Sequence, residues 1–468
     1  MSIIFHIDVN SAFLSWTAIE RLKTDPSLDL RTIPSIIGGD KKSRHGIVLA
    51  KSIPAKKFGI RTAEPVASAF RKCPTLHMEP PDHKLYHRRS QEMMQLLHSY
   101  TPDIEQVSID ECYLDFTPIA HLFPSAREAA KEISGRIRTE LGFTVNIGIA
   151  PNKLLAKMAS DFEKPDKIHT LYPEEIPSKM WPLPVGELFM VGHASAERLI
   201  QLGIRTIGDL AHADPDFLQV HFKSHGLSMW EHANGIDTTP LDSEEHDLKG
   251  IGNSTTLSHD LKSADDAKKI LLQLSEQVAG RLRRAHQIAQ TVTVEIKYHT
   301  FQSCSRQMQL SVPAGTTDTV YRCACQLFDE LWNGTPIRLL GIRTTKLLAE
   351  DTPVQLSLFD FGIQEIPDET EASGKTSTIP SGNPDQAVIS GSTNSDRRPQ
   401  TFLTESLSRS KDTVFSDGPQ TATPSLERQK RLDEAMDQIR KRFGNDAVIR
   451  GTFLTPKTDS TSQKKNKH

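Results

Sequence analysis

IEQVSIDECYLDFT, residues 104–117, decides how this chain folds. Val107 and Ile109 alternate with polar neighbours before Asp110-Glu111, and Cys112, Leu114 and Phe116 alternate after it. That period of two lays one side of a strand on a core. The stretch therefore predicts a hairpin with its acidic pair at the bend.

The elements around it give the fold class. Ile3–Ile7 is a nearly continuous apolar run, suited to a strand buried on both faces, and it ends at Asp8. A helical pattern starts at Ser11, and a strand at Ile47–Ala50 follows a glycine- and lysine-rich stretch. A helix is expected from about His87 to Tyr100, and another carries Ala129, Ile133 and Ile137. The alternating strand Val145–Ile149 then runs into Pro151-Asn152-Lys153, a helix start. This order predicts an α+β domain with an antiparallel or mixed sheet.

Further along the character changes. Residues 169–231 read as all-helical with turns at Gly192, Gly203 and Gly208, and 232–248 as a polar linker. Residues 249–350 return to mixed structure, with a helix over Ala264–Arg284 and a strand over Thr291–Tyr298. Residues 361–424 are rich in Ser, Thr, Pro and Gly and cannot bury enough apolar surface to offset their ordering entropy, so a disordered tail is expected. An amphipathic helix within 425–453 places Leu432, Met436, Ile439 and Phe443 on one face, before a basic tail at 454–468.

Composition narrows the class. The 468 residues are 37% hydrophobic and 25% charged, with a net charge of −3. On its own that balance argues against a nucleic-acid protein, because phosphate backbones attract strongly basic domains. The sum hides segregation, however: 249–346 carries a local excess of lysine and arginine, including Arg281, Arg283 and Arg284. The five cysteines include no CxxC pair and read as reduced thiols. No apolar run is long enough to span a membrane, and Asp8 interrupts the only candidate signal region, so secretion is not expected.

Three carboxylates carry the chemistry. Held on neighbouring strands, Asp8, Asp110 and Glu111 form an all-oxygen set suited to Mg²⁺. Two such ions, ~3.5–4 Å apart, activate a hydroxyl and neutralise a leaving pyrophosphate in one in-line displacement. The plainer reading of each acid is a strand-end cap or turn residue.

FHIDVNSAF (5–13) and SIDECYLDFT (108–117) resemble the two palm motifs of Y-family DNA polymerases, the DinB/UmuC or DNA polymerase IV group. GIVLAKSIPAKKFGIRTAEP (46–65) resembles the fingers motif, GIAPNKLLAKMASDFEKP (148–165) the palm helix and lysine loop, and FMVGHASAERLIQLGIRTIGDLA (189–211) the thumb helix-hairpin-helix. The resemblance covers about 1–350, in order. It implies a right-hand polymerase: palm at 1–10 and 76–168, fingers at 11–75, thumb at 169–231 and an α/β little finger at 249–350.

The resemblance also implies roles. Asp8 and Asp110 match the metal-binding aspartates, Glu111 completes the catalytic site, and the Val9 carbonyl is a further ligand. Phe13 matches the aromatic steric gate that excludes a 2′-hydroxyl; otherwise it reads as an ordinary core phenylalanine. Lys164 matches the lysine that reaches the triphosphate. The fingers depart from the pattern: where the family often has tyrosine and arginine, this chain has Ile53 and Lys56. Lysine is a point charge and not a bidentate fork. Lys51, Lys57 and Arg61 either compensate or form a solvated basic face.

For DNA, the resemblance implies that Gly192, His193 and Ser195 present a helix start to a phosphate. Arg281, Arg283 and Arg284 would track the backbone. QLSLF at 355–359 resembles the bacterial clamp-binding pentapeptide, with Gln355, Leu356, Leu358 and Phe359 as anchors within a segment at 351–360.

The expected protein is a low-fidelity translesion DNA polymerase with two Mg²⁺ ions. It would act as a monomer in a bacterial cytoplasm on primer-template DNA and dNTP, tethered to the sliding clamp. The rival is a non-catalytic, clamp-tethered adaptor that keeps the fold, supported by Ile53 and Lys56; intact Asp8, Asp110 and Glu111 speak against it. A nucleotide cyclase would leave the thumb and clamp motifs unexplained.

Overall fold

β1 (Ile4–Val9) lies at the middle of a sheet because its side chains suit no other place: Phe5, Ile7 and Val9 are buried on one face and Ile4 and His6 on the other. In the computed structural model, residues 2–39, 46–244, 247–353, 413–414, 422–444, 447–448 and 450–451 are described. The chain divides into two compact units, Met1–His246 and Asp247–His468.

In the first unit the order is β1, α1 (Ala12–Thr24), β2 (Ser35–Gly38), β3 (Val48–Lys51), α2 (Ile53–Lys57), α3 (Val66–Lys72), β4 (His77–Glu79), α4 (His83–His98), β5 (Ile104–Gln106), β6 (Glu111–Asp115), α5 (Ala126–Arg136), β7 (Val145–Ala150), α6 (Lys153–Asp161) and β8 (Ile168–Thr170). The main sheet runs β5-β6-β1-β7-β8, antiparallel except for the β7–β8 edge. The predicted hairpin is β5–β6, but its pairing ends at Gln106 opposite Cys112, so Val107 and Ile109 lie in the turn and not in a strand.

A second, three-stranded sheet, β3-β2-β4, has its own small core of Ile36, Val48, Ala55, Ile60 and Val66. Two of its strands, β2 and β4, were not expected from the sequence. Behind the main sheet, α6 packs against β7 at a distance only glycine permits. A Cβ on Gly148 would stand 2.0 Å from the Ala156 carbonyl oxygen.

Helices complete this unit: α7 (Ile176–Lys179), α8 (His193–Gln201), α9 (Ile207–Ala211), α10 (Pro215–Phe222) and α11 (Ser224–Ala233). The expected linker begins inside α11, and its first half is fastened to the unit. The Asp237 carboxylate accepts from the Leu154 N–H at 3.0 Å, Lys153 Nζ donates to the Pro240 carbonyl at 3.0 Å, and the Asp242 N–H donates to Glu105 at 2.8 Å. Polarity there serves hydrogen bonding.

The second unit runs β9 (Gly250–Leu261), α12 (Ala264–Arg284), β10 (Gln287–Tyr298), β11 (Ser303–Ala314), α13 (Thr317–Leu331), β12 (Ile337–Ala349), β13 (Thr413–Val414) and α14 (Ala422–Phe443). The sheet order is β13-β11-β10-β12-β9. α12 begins at the residue expected, with Ser263 capping it through the Asp266 N–H, acids in the first turn and arginines in the last. Leu271, Leu274 and Val278 of α12 share a core with Val292, Val294 and Ile296 of β10. Thr293, Glu295, Ser303, Ser305 and Arg343 line a shallow polar cavity of about 590 Å³ on the alternate positions.

The C-terminal helix is part of this unit. Asp433, 4% exposed, accepts from the Thr317 N–H at 2.8 Å and pairs with Arg283 at 3.0 Å, while Asp437 holds the same guanidinium at 2.8 Å. Arg440 and Arg450 both reach Glu276 of α12, and Lys430 pairs with Glu350. The sequence pattern places Leu432, Met436, Ile439 and Phe443 on one face. Only Met436 is buried; Leu432, Ile439 and Phe443 face solvent. Charge, not the apolar stripe, orients this helix.

Candidate active site

Asp8 and Glu111 are direct cross-strand partners in the β1–β6 ladder, and the Val9 N–H donates to the Asp110 carbonyl at 3.0 Å. The sheet thus gathers three acids at one strand end. Like charges directly opposite one another are unfavourable, and nearby basic groups offset them. Lys157 Nζ stands 2.7 Å from Glu111, and His6 Nε2 stands 3.4 Å from it. Lys164 is paired with Asp8 and with Asp161, the latter at 2.8 Å.

The electrostatics follow from these contacts. His6 beside it, with Lys157, holds the Glu111 carboxyl down at about 2 against the cost of burial. Asp110 moves the other way: burial raises it, with Asp8 and Glu111 adding, against a 2.7 Å hydrogen bond from Ser108. Burial opposes the charge on Lys164, but Asp8 and Asp161 outweigh it and raise its pKa.

A cavity of about 380 Å³ opens beside these groups. Asp8, Val9, Asp110, Phe13, Lys51, Ile53, Lys56, Thr62 and Lys164 are among the residues that line it. Glu111 does not line the cavity; its carboxylate accepts from Lys157 Nζ. Among the described residues no three His, Cys, Asp or Glu side chains are arranged to hold a metal, and lysines pair with two of the three carboxylates. The donors are oxygen throughout, the chemistry a hard divalent cation takes.

Phe13 projects from the first turn of α1 and stacks on Tyr86, which is fully buried in α4. The Tyr86 and Thr17 hydroxyls are 3.1 Å apart, and Thr17 Oγ1 donates back to the Phe13 carbonyl at 2.7 Å. The ring is therefore fixed from behind. Tyr86 escaped the sequence reading because α4 starts four residues before the expected His87. Lys157 and His6 lay inside quoted motifs without being singled out; helical spacing from Lys153 and strand alternation from Asp8 were the available signals.

Ser52 caps α2 by accepting from the Ala55 N–H at 3.1 Å, and this short helix sets Ile53 and Lys56 on the cavity. Ile53 is 53% exposed there. Gly192 is the N-cap of α8, and His193 and Ser195 lie in its first turn, with His193 3.5 Å from Glu197. In the second unit Arg281 and Arg284 are exposed, but Arg283 is not. Two carboxylates of α14 take its guanidinium, so the expectation that it faces DNA gives way to an internal ion pair. Gln355, Leu356, Leu358 and Phe359 lie outside the described residues.

Residues 7–161 match the model of the impB/mucB/samB family, and residues 248–358 match that family's C-terminal domain. The chain is 49% identical to the DNA polymerase IV of Clostridium acetobutylicum over 358 residues, covering 76% of this chain and 90% of that one. It is 40% identical to DNA polymerase IV 1 of Bacillus subtilis, covering 77% of this chain and 86% of that one. A solved Y-family DNA polymerase chimera shares the fold, with a TM-score of 0.65 at 23% identity, covering 74% of this chain and 99% of its own.

Proposed function

The chain belongs to the impB/mucB/samB family, the Y-family DNA polymerases of the DNA polymerase IV group, and we propose that Asp8, Asp110 and Glu111 carry its nucleotidyl transfer. The activity is low-fidelity, template-directed synthesis of DNA of the translesion kind, and it depends on a divalent metal. The adaptor reading is not favoured, since the relatives are named as polymerases.

The observation that carries the assignment is the pairing of Asp8 with Glu111 across β1–β6, beside Asp110 and the cavity. The reaction joins the primer 3′ oxygen to the α-phosphorus of a dNTP and breaks the α–β bridge, releasing pyrophosphate. Bound Mg²⁺, two ions per site in this proposal, supplies charge neutralisation at the attacking and leaving oxygens. Asp8, Asp110, Glu111 and the Val9 carbonyl would hold the ions.

The remaining groups position the substrates. Lys164 leaves Asp8 and turns its ammonium to the triphosphate, and Lys56 meets the triphosphate from the fingers side. Phe13, backed by Tyr86, closes the space a 2′-hydroxyl would need. In this reading 11–75 are the fingers, 1–10 and 76–168 the palm, 169–231 the thumb and 249–350 the little finger. Gly192, His193 and Ser195 would meet primer-template DNA at phosphates, with Arg281 and Arg284 along the backbone. Gln355–Phe359 would dock a bacterial sliding clamp, placing a monomeric enzyme in the cytoplasm with its DNA.

Primer extension by the full chain, beside Asp110→Ala, tests the assignment. Loss of extension in the variant with DNA binding retained supports it; equal activity removes it.

A further inference from the structure

The fingers-side wall of the cavity carries two ammonium groups. Lys56 stands where the family has an arginine. Lys51, the last residue of β3, lines the same cavity. We propose that Lys51, steadied by Thr62, binds the incoming triphosphate and supplies the positive charge and hydrogen-bond donors that Ile53 and Lys56 do not. This rests on the cavity being the nucleotide site.

Geometry selects Lys51. Of the fingers motif's basic residues besides Lys56, Lys51 lines the cavity, whereas Lys57 and Arg61 are exposed and do not line it. Lys51 Nζ donates to Thr62 Oγ1 at 3.0 Å, and Thr62 also lines the cavity. An ammonium has three donors, so two remain for phosphate oxygens. Ile53 offers none.

The charge distribution agrees. Lys157 is committed to Glu111, and Lys164 to Asp8 and Asp161. Among the described residues no carboxylate is paired with Lys51 or Lys56; the nearby Glu64 is taken by Lys72. Burial and the neighbouring Lys56 both lower the Lys51 pKa. Two unpaired like charges on one cavity are unfavourable until a polyanion enters between them. With the Asp8 and Asp110 carboxylates lining the same cavity, they give it the two-signed character that a metal-bound triphosphate requires.

The test uses full-length Lys51→Ala, Lys51→Arg and Thr62→Val in single-nucleotide incorporation, with melting temperature and primer-template binding measured alongside. Losing a charged hydrogen bond to phosphate should raise the KM for dNTP about tenfold in Lys51→Ala. kcat should fall much less, and Lys51→Arg should recover most of the loss. Thr62→Val should shift KM in the same direction by less. A KM for Lys51→Ala within twofold of wild type would overturn the proposal. So would an arginine variant no better than alanine with a matching fall in melting temperature, since that marks a structural role. Wild-type protein that incorporates no nucleotide would instead strike down the polymerase site itself, which separates the two failures.

Discussion

Phe13 lies face to face on Tyr86, with ring centroids 4.3 Å apart and planes 6° from parallel. The proposed gate would thus be a two-ring device, its rigidity supplied by the buried partner. Phe13→Ala should lower discrimination against ribonucleotides by a factor on the order of 10². Tyr86→Leu, which keeps the site filled but removes a stack worth about 0.5–1.5 kcal/mol, should produce a smaller loss. Tyr86→Phe should resemble wild type. The ratio of kcat/KM for dNTP and NTP reads all three, and unchanged selectivity in Phe13→Ala would remove the gate.

Lys157 holds the Glu111 carboxylate at 2.7 Å. Lys157→Ala should cost about 10–100-fold in activity, the usual effect of removing a partner that orients a metal ligand. Lys157→Arg should recover part of it. Activity within twofold of wild type would show that Glu111 needs no such support.

The same carboxylate gives a pH signature. Its folded pKa, about 2, lies below the ordinary 4.5, so its ionised form stabilises the fold above pH 4.5. That contribution disappears as pH falls from 4.5 towards 2. Glu111→Gln should therefore show a shallower fall of melting temperature across that window than wild type. Parallel curves would contradict the assigned contacts.

Much of this was legible in the sequence. β1, β6 and β7 announce themselves by apolar runs and alternation, and α12 by its cap and end charges. β2 and β4 did not, because four and three residues are too short to display a period. α14 was legible as a helix, but how it docks was not, for a physical reason. Asp433 and Asp437, four apart, look like a solvated face until Arg283, more than 150 residues earlier in the case of Asp437, is brought beneath them. Sequence periodicity sees apolar burial and is blind to a buried ion pair whose partner lies elsewhere in the chain.

That ion pair is testable by itself. Asp433→Ala leaves the buried Thr317 N–H unpaired and Arg283 with Asp437 alone, a loss of about 1–3 kcal/mol for the unsatisfied donor. Residues 427–443 should then lose protection in hydrogen exchange, while the core of β10 keeps its own. Equal protection in the two proteins would show that α14 docks by other means.

The central claim is that Asp8, Asp110 and Glu111 together carry metal-dependent nucleotidyl transfer. Primer extension by the full chain with and without Mg²⁺, beside Asp110→Ala on the same primer-template, tests it most directly. Wild type should extend the primer only with the cation, and the variant should fall by about 10³-fold or more while still binding DNA. Extension without any divalent cation, or an Asp110→Ala variant as active as wild type, would contradict it.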